Sequence, residues 1–393
     1  MQIKNYSNKV TIVLFSLFLV ACSSTHNLDI RVSKDNYKDV SLVSEPNNTQ
    51  EPLRFWGNEQ PSFLYSDTDN TTPITVEGDR LNILALSGGG ANGAYGAGAI
   101  IGLRDAGQLP DYSVITGISA GALIAPFVFA GNDELDHLKS VMLGINDKDV
   151  LGKKNFLNTL FKDAFTNGDR MFEFIENAYT EEMMVKVAEQ HKAGKRLFIG
   201  TTQFDSGELM VWNVGAIAAS EMPNKMQLIH QVLAASASIP GVFPPQFIQV
   251  EHDGEQLEEL HVDGGLAAQV FFNPSNFDYN KVSDALGLTE KPRVHVVRNG
   301  SLTPPYTKLK DKGMPLLTKS VGTMTVLQAK GDIYRIKYLC EINDFDLGVT
   351  YLEQSYRPYK ASKDMFDKTY MEAIYRYGYD KASRNELWTN DIP

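Results

Sequence analysis

The sequence predicts an α/β protein in which a mostly parallel sheet is covered by helices on both faces, and three observations predict it. From residue 79 onward, apolar strand-like runs alternate with helical patterns. Glycine-rich turns stand where a strand hands over to a helix, at "SGGGANG" (87–93) and again at "GISAG" (117–121). The chain has 393 residues, 43% hydrophobic and 22% charged, so it can bury a sizeable core in one large or two medium domains.

Each element has its own signal. "LNILALS" (81–87) reads as a buried strand, and "GAYGAGAIIGLRDAG" (93–107) as a helix whose small residues let it lie close to its neighbours. "YSVITG" (112–117) is a second strand and "SAGALIAPFVFAG" (119–131) a second helix. "RLFIGTTQF" (196–204) and "ELMVWNV" (208–214) follow as strands, then "MQLIHQVLAASAS" (226–238) as a helix. "ELHVDGG" (259–265), "RVHVVRN" (293–299) and "FDLGVTYL" (345–352) are later strands, with helices over about 315–340 and 364–388.

The amino terminus has a different character. Lys4 and Lys9 precede "VTIVLFSLFLV" (10–20), an uncharged run of signal-peptide length and too short to span a bilayer comfortably. "LVAC" (19–22) then resembles the bacterial lipoprotein box, which implies cleavage before Cys22 and acylation of its sulfur. Several acyl chains, at roughly 0.8 kcal/mol per buried methylene, would hold the protein in a membrane. Ser23 after the cysteine fits the outer-membrane sorting pattern, so the expected address is the bacterial cell envelope, lipid-anchored. The expected organisation is a signal peptide over 1–21, a tether and irregular segment over 22–78, and the main α/β domain over 79–393. In that domain the core motifs lie in 81–275 and the completing helices and strand in 276–393. Phe55, Trp56 and Phe63 are the side chains that would dock the irregular segment.

Charge and cysteine content narrow the chemistry. A formal net charge of -11 argues against nucleic acid as a partner and against electrostatic attachment to anionic lipid. With Cys22 acylated, only Cys340 is left, so neither a disulfide nor a cysteine zinc site is expected. The seven histidines show no metal-ligand spacing, and no metal or other cofactor is expected.

Three motifs define the candidate site. In "GISAG", Gly117 and Gly121 flank Ser119 between a strand and a helix, the place for a nucleophile elbow. Gly88, Gly89 and Gly90 end the preceding strand and can turn successive N–H groups toward one point, as an oxyanion hole requires. A tight turn between packed elements would need fewer glycines. Gly88, Gly90 and Gly93 also fit a dinucleotide-binding fingerprint, but the next strand ends in Gly117 and Ser119 where that reading wants an acid. "HVDGG" sets Asp263 before Gly264 and Gly265. An Asp-Gly pair is a common turn signal, yet at the end of a parallel strand Asp263 would share the serine's sheet edge.

The order G-x-G-x-x-G, G-x-S-x-G, D-G-G resembles the patatin-like phospholipase family, and "ASASIPGVFPP" (235–245) resembles that family's segment between serine and aspartate. The resemblance is clear over about 81–275. It implies a three-layer α/β/α fold and hydrolysis of membrane-lipid or other acyl esters by a serine–aspartate dyad, without histidine or metal. Ser119 is then the nucleophile, Asp263 the base, and Gly88 to Gly90 the oxyanion hole. Many members carry Arg or Lys where this chain has Asn92, which bears on substrate preference. Two alternatives stand beside this reading. One is an α/β-hydrolase triad using His295, although that residue sits inside a strand pattern. The other is a catalytically silent lipid-binding lipoprotein. Oligomeric state is not legible.

Overall fold

Ten strands form one sheet in the computed structural model, which describes residues 28–46, 49–151, 169–273, 275–356 and 358–393. They are β1 (Ser41–Leu42), β2 (Arg54–Trp56), β3 (Asn82–Leu86), β4 (Val114–Ile118), β5 (Arg196–Gln203), β6 (Glu208–Asn213), β7 (Gln246–His252), β8 (Glu255–Asp263), β9 (Arg293–Arg298) and β10 (Asp346–Tyr351). The order is β1-β7-β8-β5-β4-β3-β9-β10, with β6 joined to β5 and β2 to β6.

The strands bury both faces. Leu84, Leu86, Ile115, Leu197 and Val297 point into one apolar cluster, while Ile83, Ala85, Val114, Phe198 and Val296 point into another. That two-residue period with apolar groups on both sides is what a covered central strand requires. The first face is covered by α1 (Gly93–Asp105), α2 (Ala120–Ala130), α3 (Leu135–Gly144), α4 (Asp169–Ala178), α5 (Glu181–Lys192) and α6 (Lys225–Ser236). The second is covered by the carboxyl half of α7 (Gly313–Ile342) and by Phe271, Phe272 and Tyr279. A last helix, α8 (Lys368–Ser383), returns to the first face beside α1. The small residues of α1 serve that contact, since a Cβ on Gly98 would lie 2.0 Å from the Tyr375 carbonyl oxygen. The architecture is three-layer α/β/α.

The sheet is mixed and not mostly parallel. Four ladders are parallel, β5 to β4, β4 to β3, β3 to β9 and β9 to β10, whereas those joining β1, β2, β6, β7 and β8 are antiparallel. The reason is hairpins. β7 and β8 are joined at Asp253 and Gly254, whose φ values of 50° and 81° form the tight turn that folds a chain straight back.

The segment before residue 79 also contributes to the sheet, through β1 and β2. Trp56 is buried, and Phe55 makes edge-on contacts with Phe63 and Phe198. Arg54 pairs with the fully buried Glu259. Burial alone would raise that carboxyl, but Arg54 and His261 hold it down to about 2.

Candidate active site

The topology brings the serine and the aspartate together end to end. β4 and β8 share one edge of β5: Ile118 pairs with Gly200, and Asp263 pairs with the next residue, Thr201. β4 runs parallel to β5 and β8 antiparallel, so their carboxyl ends meet head-on. Ser119 is the first residue past one end and Asp263 the last of the other. The expected parallel strand beneath Asp263 is therefore corrected. An antiparallel hairpin strand delivers the carboxylate, because β5 overruns β4 and leaves an edge for β8.

Ser119 Oγ donates to Asp263 Oδ2 at 2.7 Å. The two residues are only 6% and 5% exposed. Ser119 has φ 52° and ψ -120°, a backbone state costing a non-glycine residue about 1–3 kcal/mol, which holds the hydroxyl clear of the turn. A Cβ on Gly117 would meet the Gly121 carbonyl oxygen at 2.7 Å, and one on Gly121 the Leu86 oxygen at 2.2 Å, so both flanking positions need a bare backbone. Ser236 Oγ accepts the Ser119 N–H at 3.0 Å and donates to the Gly200 carbonyl at 2.7 Å, tying the turn to β5. Ser238 accepts the Asp263 N–H through its carbonyl at 3.0 Å. The 235–245 segment thus clamps both residues.

Asp263 Oδ1 accepts the Gly265 N–H at 2.7 Å. Burial pushes its carboxyl up to about 6, against the pull of the Ser119 hydroxyl and the Gly265 N–H. Gly264 passes tightly against β5, where a Cβ would lie 2.4 Å from the Gly200 oxygen, and one on Gly265 would lie 2.9 Å from Asp263 Oδ1.

The glycine loop divides by role. Gly88 donates its N–H to the Gln269 carbonyl at 3.0 Å, which removes it from the expected oxyanion set. It lies close under the serine instead, its Cβ position 3.2 Å from Ser119 Cβ. The N–H groups of Gly89 and Gly90 have no acceptor among the described residues. Gly90 takes a left-handed φ of 55°, and Gly93 opens α1 against Met142 and Ala120. Cys22 lies outside the described residues.

Several residues that sequence reasoning missed hold this loop. Arg298 Nη1 donates to the Gly88 carbonyl at 2.7 Å, and the Asn299 side chain donates to the Ser87 carbonyl at 2.7 Å. Burial pulls the Arg298 guanidinium down to about 10, which leaves it protonated at neutral pH. Asn92 accepts from the Tyr370 hydroxyl at 2.8 Å. The Arg298–Asn299 pair had a sequence signal: two polar residues at the carboxyl end of a buried strand, where α/β sites are built.

An apolar cavity opens beside Ser119, walled by Leu123, Phe174, Phe243 and the methionines Met142, Met171, Met365 and Met371. Tyr179 also lines it, but its hydroxyl is used on the Leu123 carbonyl at 2.6 Å. Unbranched methionine side chains let such a wall adapt to its contents.

His295 is elsewhere. It pairs with Leu84, which pairs with Ile115, so it lies two strands from β4 and roughly 13 Å short of Ser119 along the sheet. Its ring stacks on Trp388 at 3.9 Å and its Nδ1 bonds the Tyr112 hydroxyl at 2.7 Å. His261, closer in sequence to Asp263, has both ring nitrogens engaged, by Thr201 and Glu259. Among the described residues there is no cluster of three or more acidic, histidine or cysteine side chains placed to hold a metal, and no helix long and apolar enough to cross a membrane.

Fold and site define a three-layer α/β protein with a serine–carboxylate pair at a strand–turn–helix junction. Residues 84–274 match the model of the patatin-like phospholipase family, so that stretch carries a patatin-like domain. An uncharacterized protein of Acanthamoeba polyphaga mimivirus is 26% identical over 197 residues, covering 49% of this chain and 63% of that protein. The chain thus spans less than two thirds of that relative. Among solved structures, VipD from Legionella pneumophila is 14% identical with a TM-score of 0.39, covering 79% of this chain and 67% of that one. The type III effector protein ExoU is 15% identical with a TM-score of 0.30, covering 79% and 54%.

Proposed function

We propose that this protein is a lipid acyl hydrolase that works through a Ser119–Asp263 dyad and an acyl-enzyme. One observation carries the reading: the 2.7 Å hydrogen bond from the serine to a buried carboxylate, at the mouth of an apolar cavity. Asp263 takes the Ser119 proton as the oxygen attacks the ester carbonyl. Negative charge then develops on the carbonyl oxygen, and the free N–H groups of Gly89 and Gly90, with the amino end of α2 beneath, receive it. The alcohol leaves with the proton from Asp263. Water, deprotonated in turn by Asp263, attacks the acyl carbonyl, and the fatty acid leaves as Asp263 returns that proton to Ser119 Oγ. A carboxylate of ordinary acidity would be a weak base, and the burial that raises Asp263 to about 6 brings it near working pH.

Arg298 supports this mechanism from behind. The Gly88 carbonyl that accepts its guanidinium belongs to the same peptide unit as the Gly89 N–H. Polarising that unit makes the N–H a stronger donor. The cation that many family members place in the loop is thereby supplied from β9, on the far side of the glycines.

The test is turnover on a panel of phospholipids, lysophospholipids and p-nitrophenyl esters of graded chain length. Hydrolysis rising with chain length supports the reading, and no hydrolysis of any ester overturns it. The loop has its own test. A Cβ at position 89 would lie 2.0 Å from the Asn299 carbonyl oxygen, so Gly89→Ala must move the loop. A rate loss of about 10²–10³ is expected, measured beside circular dichroism to confirm folding. A folded variant at wild-type speed would assign the loop another job.

The same proposal includes the anchor. If Cys22 is the acylated residue, metabolic labelling with a fatty-acid analogue marks the wild type and leaves Cys22→Ser unlabelled. Equal label on both would remove the lipoprotein reading, and with it the envelope address.

A further inference from the structure

The longest helix is buried on one side only, and along only part of its length. In α7, Ala329, Ile333, Ile336, Leu339 and Cys340 are buried, forming one face against the sheet. Residues 313–318 are exposed all round. The side turned away from the sheet is nonetheless apolar: Leu317, Val321, Met324, Leu327, Tyr334 and Tyr338 are 57%, 55%, 69%, 52%, 45% and 59% exposed. At helical spacing these six fall within one arc of about 140°. A surface helix normally shows charge there; from Leu317 to Leu327 this arc carries none, Arg335 being the first charged residue to enter it, and such an apolar stripe marks an interaction face.

Charge identifies what the face meets. From Ser301 to Gly331 the chain carries Lys308, Lys310, Lys312, Lys319 and Lys330 against the single acid Asp311, in a protein of net charge -11. Lys330 lies over the Tyr334 ring at 5.8 Å. Lysines beside a broad apolar stripe, with tyrosines along it, suit a helix lying in the headgroup plane of an anionic bilayer. A second copy of the same helix would bring the lysines together and repel. The face also adjoins the catalytic loop: Gln328 donates to the Leu266 carbonyl at 3.2 Å, and Asp332 accepts the Gln269 N–H at 2.7 Å. Leu266, three residues past Asp263, is itself 45% exposed.

We propose that the amino-terminal half of α7 is an interfacial helix that seats Leu317, Met324 and Leu327 in an anionic lipid surface and sets the Ser119 site against it. The lipid-hydrolase reading explains why such a helix lies beside the site, while its binding to lipid is measured separately. The full-length chain with Cys22→Ser and Met324→Cys carries an environment-sensitive fluorophore at 324, the remaining Cys340 being buried. Vesicles of phosphatidylethanolamine and phosphatidylglycerol are expected to shift its emission to the blue. Adding Leu317→Glu and Leu327→Glu should abolish the shift and lower hydrolysis of vesicle lipid by at least about tenfold, with p-nitrophenyl butyrate turnover kept within about twofold. No shift with vesicles overturns the proposal, as does a shift without vesicles that grows with protein concentration, the mark of a second copy. A vesicle-dependent shift in a chain that hydrolyses no ester upholds docking and sinks the hydrolase reading alone.

Discussion

Ser119→Ala is expected to remove ester hydrolysis almost completely, by about five to six orders of magnitude, while leaving the fold in place. The loss is this large because the acyl acceptor itself disappears. Alanine leaves Asp263 facing a methyl group, and water has no positioned route to the carbonyl. The oxyanion donors and the apolar cavity remain, so a small residual rate over solution survives. The variant should still be folded, since the hydroxyl's one hydrogen bond is to Asp263. Rates on a medium-chain p-nitrophenyl ester, with thermal unfolding beside them, check both halves. A rate within about a hundredfold of wild type would leave Ser119 without the nucleophile's role.

Asp263→Asn is expected to cost about 10³ or more in rate and to stabilise the protein. The two effects share a cause. Folding buries the carboxylate and raises its pKa from 3.8 to about 6, so the folded state binds more protons than the unfolded one between those values. The stability associated with the neutral acid is complete below about pH 4 and is lost as pH rises through 6, on the order of 3 kcal/mol in all. Asparagine carries no such penalty. Its melting temperature should exceed that of wild type at pH 8, and the difference should vanish near pH 4. In the wild type kcat/KM should fall as pH drops below about 6, where the base becomes protonated. His295→Gln is the control. From its place against Trp388 and Tyr112 it is expected to change the rate by less than about tenfold, and a folded variant that lost about three orders of magnitude would replace the dyad with a triad.

The serine and the aspartate were legible because glycines mark them. The turn around Ser119 is so tight that only hydrogen fits at 117, against the start of α2, and at 121, against the end of β3, and such steric demands leave a mark on sequence. The way Asp263 reaches Ser119 was harder to read. A strand written "ELHVDGG" looks the same whether it runs parallel or antiparallel to its neighbour, and only the Asp253–Gly254 turn before it gives the hairpin away. Gly88 was misassigned because three adjacent glycines look equivalent until one N–H is found bonded to Gln269. The cavity wall was illegible, since its methionines come from segments more than two hundred residues apart, at 142 and 365. For α7 the helix was legible and its outward stripe was not, because apolar periodicity alone cannot say which side the sheet covers. A net charge taken over the whole chain likewise hid the local run of lysines.

The central claim is that Ser119 becomes acylated during turnover. The most direct measurement is acid quenching during hydrolysis of a p-nitrophenyl ester in the pre-steady state, followed by intact mass and peptide mapping. The account predicts a transient mass increase of one acyl group on the peptide containing Ser119, absent from Ser119→Ala and preventable by a fluorophosphonate that marks the same residue. Steady hydrolysis with no acyl adduct, and with the enzyme untouched by the fluorophosphonate, would contradict it.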